Sequence, residues 1–403
     1  MQMSRPINPT DMRLSYLLTA RHSPAAVRQI LAHLCGITPL PRGQWEICLG
    51  HETPANGSAA GASGSAEAIR AQFPNVCLPA KDQTIAACSG QYVIPLGEHS
   101  GPADGAALRS ILSLLDSDPT IGAVVGKLTM SDGSTQGPAL PSLVKLGASC
   151  FRKSVVDRIG GFPAIGGSAA DYDLSFRILG AGFRIDRRED IVFEGLAKTA
   201  DQTSPTVAEV AEQLAVAHRY LPPKLRQIYW QDWATKYRAL AAHGGKKRAG
   251  HLAVLLARLQ SIRQIISAAD PVTQDVLESV FAFRKQATMI GDWARRGSVW
   301  RVVLADFTDN VWATYNACRS TGLQMRCLAD NNPAFENLSY RDLPIVAANR
   351  AFEGGGIDGV ILTSSEPSGI ESNFKSLRNY FHGPILRLCQ IPRQATHAKA
   401  VAA

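Results

Sequence analysis

Between Ser15 and Leu96 the chain alternates short apolar runs with a stretch of helical period. That alternation restricts it to an α/β architecture with a parallel sheet. Ser15-Tyr16-Leu17-Leu18-Thr19-Ala20 reads as a buried strand. Pro24 to Cys35 then sets Val27, Ile30, Leu31 and Leu34 on one helical face. Trp45 to Leu49, Val76 to Leu78 and Gln91 to Leu96 continue the series as strands, with a short helix over Ile85 to Ser89. Pro54 to Ala66 is rich in Gly, Ala and Ser and reads as a flexible surface loop. The loop Gly97-Glu98-His99-Ser100-Gly101-Pro102 leaves the last of these strands at its C-terminal end. Open parallel sheets hold their ligands at that edge.

Further on, Asp104 to Leu115 reads as a helix, Ile121 to Met130 and Leu143 to Phe151 as strands, and Ser154 to Ile159 as a short helix. Phe183 to Arg187 and Ile191 to Glu194 are two late strands. Between them lies Gly160-Gly161-Phe162, followed by Asp171-Tyr172-Asp173-Leu174-Ser175-Phe176-Arg177. Glycines let the backbone turn tightly there, and two carboxylates stand at the mouth of an amphipathic helix. One reading is a helix cap behind a loop. The other is a catalytic base at the lip of a cleft.

At 403 residues the chain exceeds one ordinary core, so two or three domains are expected. Its 45% hydrophobic and 19% charged residues are those of a soluble globular protein. No apolar run is long enough to span a bilayer, and Met1 to Arg13 carries no signal-peptide core. A cytoplasmic location is expected. The eight cysteines stand singly, with no Cys-x-x-Cys pair, so reduced core thiols are expected rather than a zinc site.

Residues 206–296 read as helical, broken at His218 to Pro223, with Pro223 in the first turn of the next helix. Tyr229, Trp230, Trp233 and Tyr237 form a packing stripe on that helix, and Gly250 to Ala268 has helical spacing. From His218 to Arg301 there are 15 Lys and Arg against 5 Asp and Glu. The resulting +10 can attract phosphates or an anionic membrane face. A solvated helical surface is the plainer reading, and no nucleic acid is expected. From Ser298 onward strands and helices alternate again, as in a small Rossmann-like sheet. Asp330 stands where a ribose-binding acid can stand, but Asp306-Phe307-Thr308-Asp309-Asn310 replaces a glycine-rich phosphate loop. A regulatory or partner-binding domain is expected there, with residues 393–403 a tail.

The order of elements over residues 14–197 resembles the nucleotide-sugar-binding GT-A fold of family 2 glycosyltransferases. The best-matching segment runs from Ala148 through Gly160-Gly161-Phe162 into Asp173-Leu174-Ser175-Phe176-Arg177. The resemblance implies a GT-A-type domain over 1–204 followed by a basic helical extension over 205–297, and the alternation after Ser298 adds the Rossmann-like domain over 298–392. It implies transfer of a sugar from a nucleotide-sugar donor to a carbohydrate or lipid-linked acceptor hydroxyl. Asp171 falls on the position of the general base. Glu98, His99, Asp173 and His51 fall near the donor, and Glu98 and His99 are the local candidates for a divalent Mn or Mg ion. Gly97-Glu98-His99 stands where the family carries its metal-binding Asp-x-Asp, Ala170 replaces the first acid of the pair, and Gly50-His51-Glu52 replaces a strand-end acid. A catalytically inactive binding or scaffold protein is therefore the alternative. The basic extension would bring the protein to the inner membrane face.

Overall fold

The computed structural model describes residues 12–19, 24–50, 69–77, 86–96, 100–129, 135–136, 142–163, 167–195, 207–243, 271–308, 310–364 and 367–388. They form two compact units. The first takes residues up to 226 and 271–280, and the second takes 227–243 and 281 onward.

In the first unit the strands are β1 (Leu14–Thr19), β2 (Trp45–Gly50), β3 (Val76–Cys77), β4 (Tyr92–Leu96), β5 (Ser100–Pro102), β6 (Ile121–Thr129), β7 (Thr135–Gln136), β8 (Ser149–Arg152) and β9 (Arg184–Gly195). Their order is β3-β2-β1-β4-β8-β6-β9-β5, with β7 hairpinned onto β6. β3, β2, β1 and β4 are mutually parallel, β8 runs antiparallel to both β4 and β6, and β9 is parallel to β6. This is a mixed α/β sheet, as the order of elements leads one to expect.

Both faces are covered, which is why the strands read as continuous apolar runs. Leu14, Tyr16 and Leu18 of β1, Ile47 and Leu49 of β2, and Ile94 of β4 face one core with the helices α1 (Pro24–Ile37) and α2 (Gly105–Ser117). Asp104 caps α2 by accepting from the Ala107 N–H at 2.8 Å. On the other face, Ala123 and Val125 of β6 pack against α3 (Lys153–Arg158) and α4 (Gly167–Gly180) through Val155, Val156, Leu174 and Ile178. Each such fully buried aliphatic side chain contributes about 1.5–3 kcal/mol.

The structure revises three local expectations. The two late strands are one bent strand, β9, whose register against β6 shifts twice. Residues 143–148 are not strand: side chains from α4 hold them off the sheet as a loop and one 3-10 turn. α4 begins at Gly167, so Asp171 and Asp173 lie in its second turn, not at its mouth. The expectations for Pro54 to Ala66, Gly250 to Ala268 and the tail 393–403 fall outside the described residues.

α5 (Val207–Tyr220) completes the first unit, and α6 (Pro223–His243) opens on the expected proline. The second unit builds a sheet of order β12-β13-β11-β10-β14-β15. Its strands are β10 (Arg301–Ala305), β11 (Gln324–Ala329), β12 (Ser339–Tyr340), β13 (Leu343–Val346), β14 (Gly359–Leu362) and β15 (Ile385–Arg387). All pairings are parallel except that of the edge strand β12. Val302 and Leu304 face one core, Val303 and Ala305 the other, as period two requires. The long helix at 223–243 joins this unit by the stripe read from sequence: Tyr229, Trp233 and Tyr237 are buried. Asp232 accepts from the Tyr340 hydroxyl at 2.6 Å and from Arg341 at 2.8 Å. Among the described residues no helix is long and apolar enough to cross a membrane.

Candidate functional site

Asp171 lies on the inner side of α4 and is only 5% exposed. Its Oδ1 accepts the Leu146 N–H at 2.9 Å, and Lys145 Nζ stands 3.7 Å from Oδ2. One turn later Ser175 accepts the Val144 N–H at 2.9 Å and donates to the Asp171 carbonyl at 2.6 Å. One helix face thus pins the loop 143–148. The register sets that loop in the sheet: Tyr92 faces Arg152 and Val93 faces Phe151, so the start of antiparallel β8 lies at the C-terminal end of β4. Ser100, two residues beyond Glu98, donates to the Gly147 carbonyl at 2.6 Å. Asp171 and Ser100 are therefore tied to one short segment at the C-terminal end of the parallel strands.

Burial pushes the Asp171 carboxyl above the usual carboxylate range, while Lys145 and the Leu146 N–H oppose the shift. A carboxylate raised by burial is a stronger proton acceptor than an ordinary aspartate.

Asp173 has a different setting. Its Oδ2 takes Arg177 Nε at 2.7 Å and Nη2 at 2.5 Å, and its Oδ1 takes the Tyr220 hydroxyl at 2.6 Å. Arg177 also donates to the Ile159 and Gly161 carbonyls at 2.8 and 2.7 Å. Gly160 and Gly161 have φ of +84° and +86°, which explains the glycine pair: side chains there would strain the turn. Asp173 and Arg177 thus join α4, α5 and the glycine turn. The Tyr220 contact lies 47 residues away in sequence and had no sequence signal.

Glu98, His99 and His51 lie outside the described residues. Among the described residues one group of side chains converges as metal ligands would: Glu46, Cys48 and Cys77. Two thiols and a carboxylate do not suit Mn or Mg, which prefer oxygen ligands. A shallow depression of about 580 Å³ beside Arg13, Leu40, Arg109 and Asp116 lies at the other end of the strands. Two of its three charged groups, Arg13 and Asp116, pair with each other at 2.5 Å.

In the second unit Asp330 accepts the Phe307 and Asn332 N–H groups, each at 2.8 Å, and so shapes the loop after β10. Asp306 sits in that loop with φ +80°. Burial, with the Asp330 charge adding, pushes its carboxyl up to about 7, against the hydrogen bond from Asn373 at 2.7 Å. Between its unfolded value near 4 and this folded value, the native state holds the extra proton, so this group's contribution falls as pH rises from about 4 to 7. Asp306→Asn keeps the Asn373 partner and tolerates the left-handed backbone. It is expected to be more stable than wild type at pH 8, with the gain vanishing toward pH 4. Chemical denaturation of both proteins across that range checks this, and a gain independent of pH would refute it.

No family model and no curated protein matches the sequence. Solved structures similar to it include the mannosyltransferase PcManGT from Pyrobaculum calidifontis, in complex with GDP-Man and Mn2+, at 14% identity and TM-score 0.41 over 64% of this chain and 86% of that one. TarS of S. aureus, residues 1–349, is similar at 11% identity and TM-score 0.39 over 82% of this chain and 97% of that one. Glucosyl-3-phosphoglycerate synthase from Mycobacterium tuberculosis, with Mg2+ and uridine diphosphate, is similar at 17% identity and TM-score 0.33 over 52% and 80%. The chain has a mixed α/β sheet in its first unit and a Rossmann-like, mainly parallel α/β sheet in its second.

Proposed function

We propose that the first unit transfers a sugar from a nucleotide-sugar donor to the hydroxyl of a carbohydrate or lipid-linked acceptor, with inversion. The observation that carries this reading is the buried Asp171, its carboxyl raised by burial, at the C-terminal edge of the parallel strands. Oδ1 is held by the Leu146 N–H, which leaves Oδ2 to take the acceptor proton. The acceptor oxygen then bonds to the anomeric carbon as the bond from that carbon to the diphosphate oxygen breaks. Lys145 favours the ionised form of Asp171, against the effect of burial. A divalent ion, when bound, supplies positive charge to the departing diphosphate. Glu98 and His99 are the residues proposed to hold it, and His51 is proposed to meet the donor. Asp173 supports the site from behind, as the tie between α4 and α5. The positive charge of 205–297 is proposed to hold the protein at an anionic membrane face on the cytoplasmic side.

A second reading, a binding protein without transfer, is favoured by one observation. The Asp171 carboxylate is covered and bonded within the protein. Thermal shift with UDP-, GDP- and dTDP-sugars, with and without Mn2+, separates the possibilities from the start. Binding raises the melting temperature by mass action. A shift with one donor followed by measurable transfer supports the enzyme. A shift without transfer supports an inactive binding protein, and no shift with any donor removes the enzyme and leaves an inactive scaffold protein.

A further inference from the structure

Glu46 and Cys48 are two residues apart on β2 and so point to the same face of the sheet. On that face Cys77 of β3 is in register with Cys48, and the two sulfurs are 3.1 Å apart. Cys88 reaches Cys48 from the loop before β4, making a side-chain hydrogen bond to it. That loop is pinned in place. The Ser89 N–H donates to Glu46 at 2.5 Å, and the Gly90 N–H donates to Ser15, whose own hydroxyl donates to Glu46 at 2.6 Å. One ligand atom each from Glu46, Cys48 and Cys77 lies within 4.8 Å of the others.

Glu46 is the unexplained member. It is buried, on a face otherwise packed with Leu17, Val93 and thiols. Its partners among the described residues are neutral, a hydroxyl and an N–H. A buried carboxylate calls for a compensating positive charge. A disulfide between Cys48 and Cys77 would use two of the thiols and leave that need unmet. A bound cation meets it, and sulfur ligands select a soft one. Tetrahedral zinc–sulfur bonds of about 2.3 Å place two sulfurs about 3.8 Å apart, a small side-chain rotation from the present spacing.

We propose that Cys48, Cys77 and Glu46 bind a soft divalent cation of the Zn2+ class, with Cys88 as the thiol nearest the open coordination position. The ion would lock β2, β3 and the loop before β4 together. This site is independent of the proposed transfer reaction. The absence of a Cys-x-x-Cys pair hid it, because each strand contributes a single thiol and only the parallel register joins them.

The test uses the full chain, reduced and stripped of metal, then titrated with Co2+ and, separately, with Zn2+. One equivalent of Co2+ is expected to bind and give a near-ultraviolet thiolate charge-transfer band. Zn2+ should displace it and raise the melting temperature. Cys77→Ser, at the half-exposed position least costly to folding, should abolish the band. Glu46→Gln should weaken binding about 10–100-fold or more, the scale seen even for supporting partners of a metal site. Cys35→Ser, at an exposed thiol elsewhere, should leave the band intact. Absence of stoichiometric uptake by the reduced wild type would overturn the proposal. So would a band that survives Cys77→Ser in a protein whose circular dichroism is native.

Discussion

Asp173→Ala is expected to destabilise the first unit by about 3–5 kcal/mol, the scale for removing one partner of a buried ion pair. The Asp173 side chain is 6% exposed and that of Arg177 16%, so the guanidinium would be left without its charge partner in a site poor in water. Tyr220 would lose its acceptor at the same time. Burial together with Asp173 holds the Tyr220 phenol well above its ordinary range, so it stays a donor at all working pH values. Tyr220→Phe should cost about 1 kcal/mol, the net worth of one hydrogen bond. The double variant should cost less than the sum, since both changes break one network. Urea denaturation of the four proteins checks this. A loss under 1 kcal/mol for Asp173→Ala would mean that the α4–α5 tie is not structural.

Asp171→Asn is expected to lower turnover by about a hundred- to ten-thousand-fold while leaving donor affinity nearly unchanged. The amide oxygen can still accept the Leu146 N–H, so the loop 143–148 should keep its place. Asp171→Ala would instead orphan that N–H and loosen the loop, at about 1–3 kcal/mol. The pair of variants separates chemistry from structure. Because burial raises the Asp171 carboxyl, the acidic limb of kcat/KM should lie above the ordinary aspartate range. Lys145 works against that shift, so Lys145→Ala should move the limb to still higher pH. Unchanged turnover in Asp171→Asn, measured with a donor that binds, would sink the base assignment. An acidic limb that does not move in Lys145→Ala would show that the ion pair has no part in setting it.

The sequence by itself determined most of the strands and helices, because short apolar runs and period 3.6 are local properties of the residues. Leu14, Tyr16 and Leu18 against Leu17, or Val302 and Leu304 against Val303, needed no tertiary knowledge to be assigned opposite faces. The glycine pair at 160 and 161 was legible for the same reason: a tight turn leaves its mark on the residues that make it. Asp171 was singled out through its place in a motif, and its role is a proposal. Tertiary structure alone decided what each carboxylate does. Asp171 and Asp173 are two residues apart on one helix. One faces the loop 143–148, and the other faces Arg177 and Tyr220. Tertiary structure also gave the helix at 223–243 to the second unit, through Asp232 with Tyr340 and Arg341, more than a hundred residues on. It brought Glu46, Cys48 and Cys77 to one face through strand register. Such contacts join elements far apart in the chain, and no local period records which residues will meet.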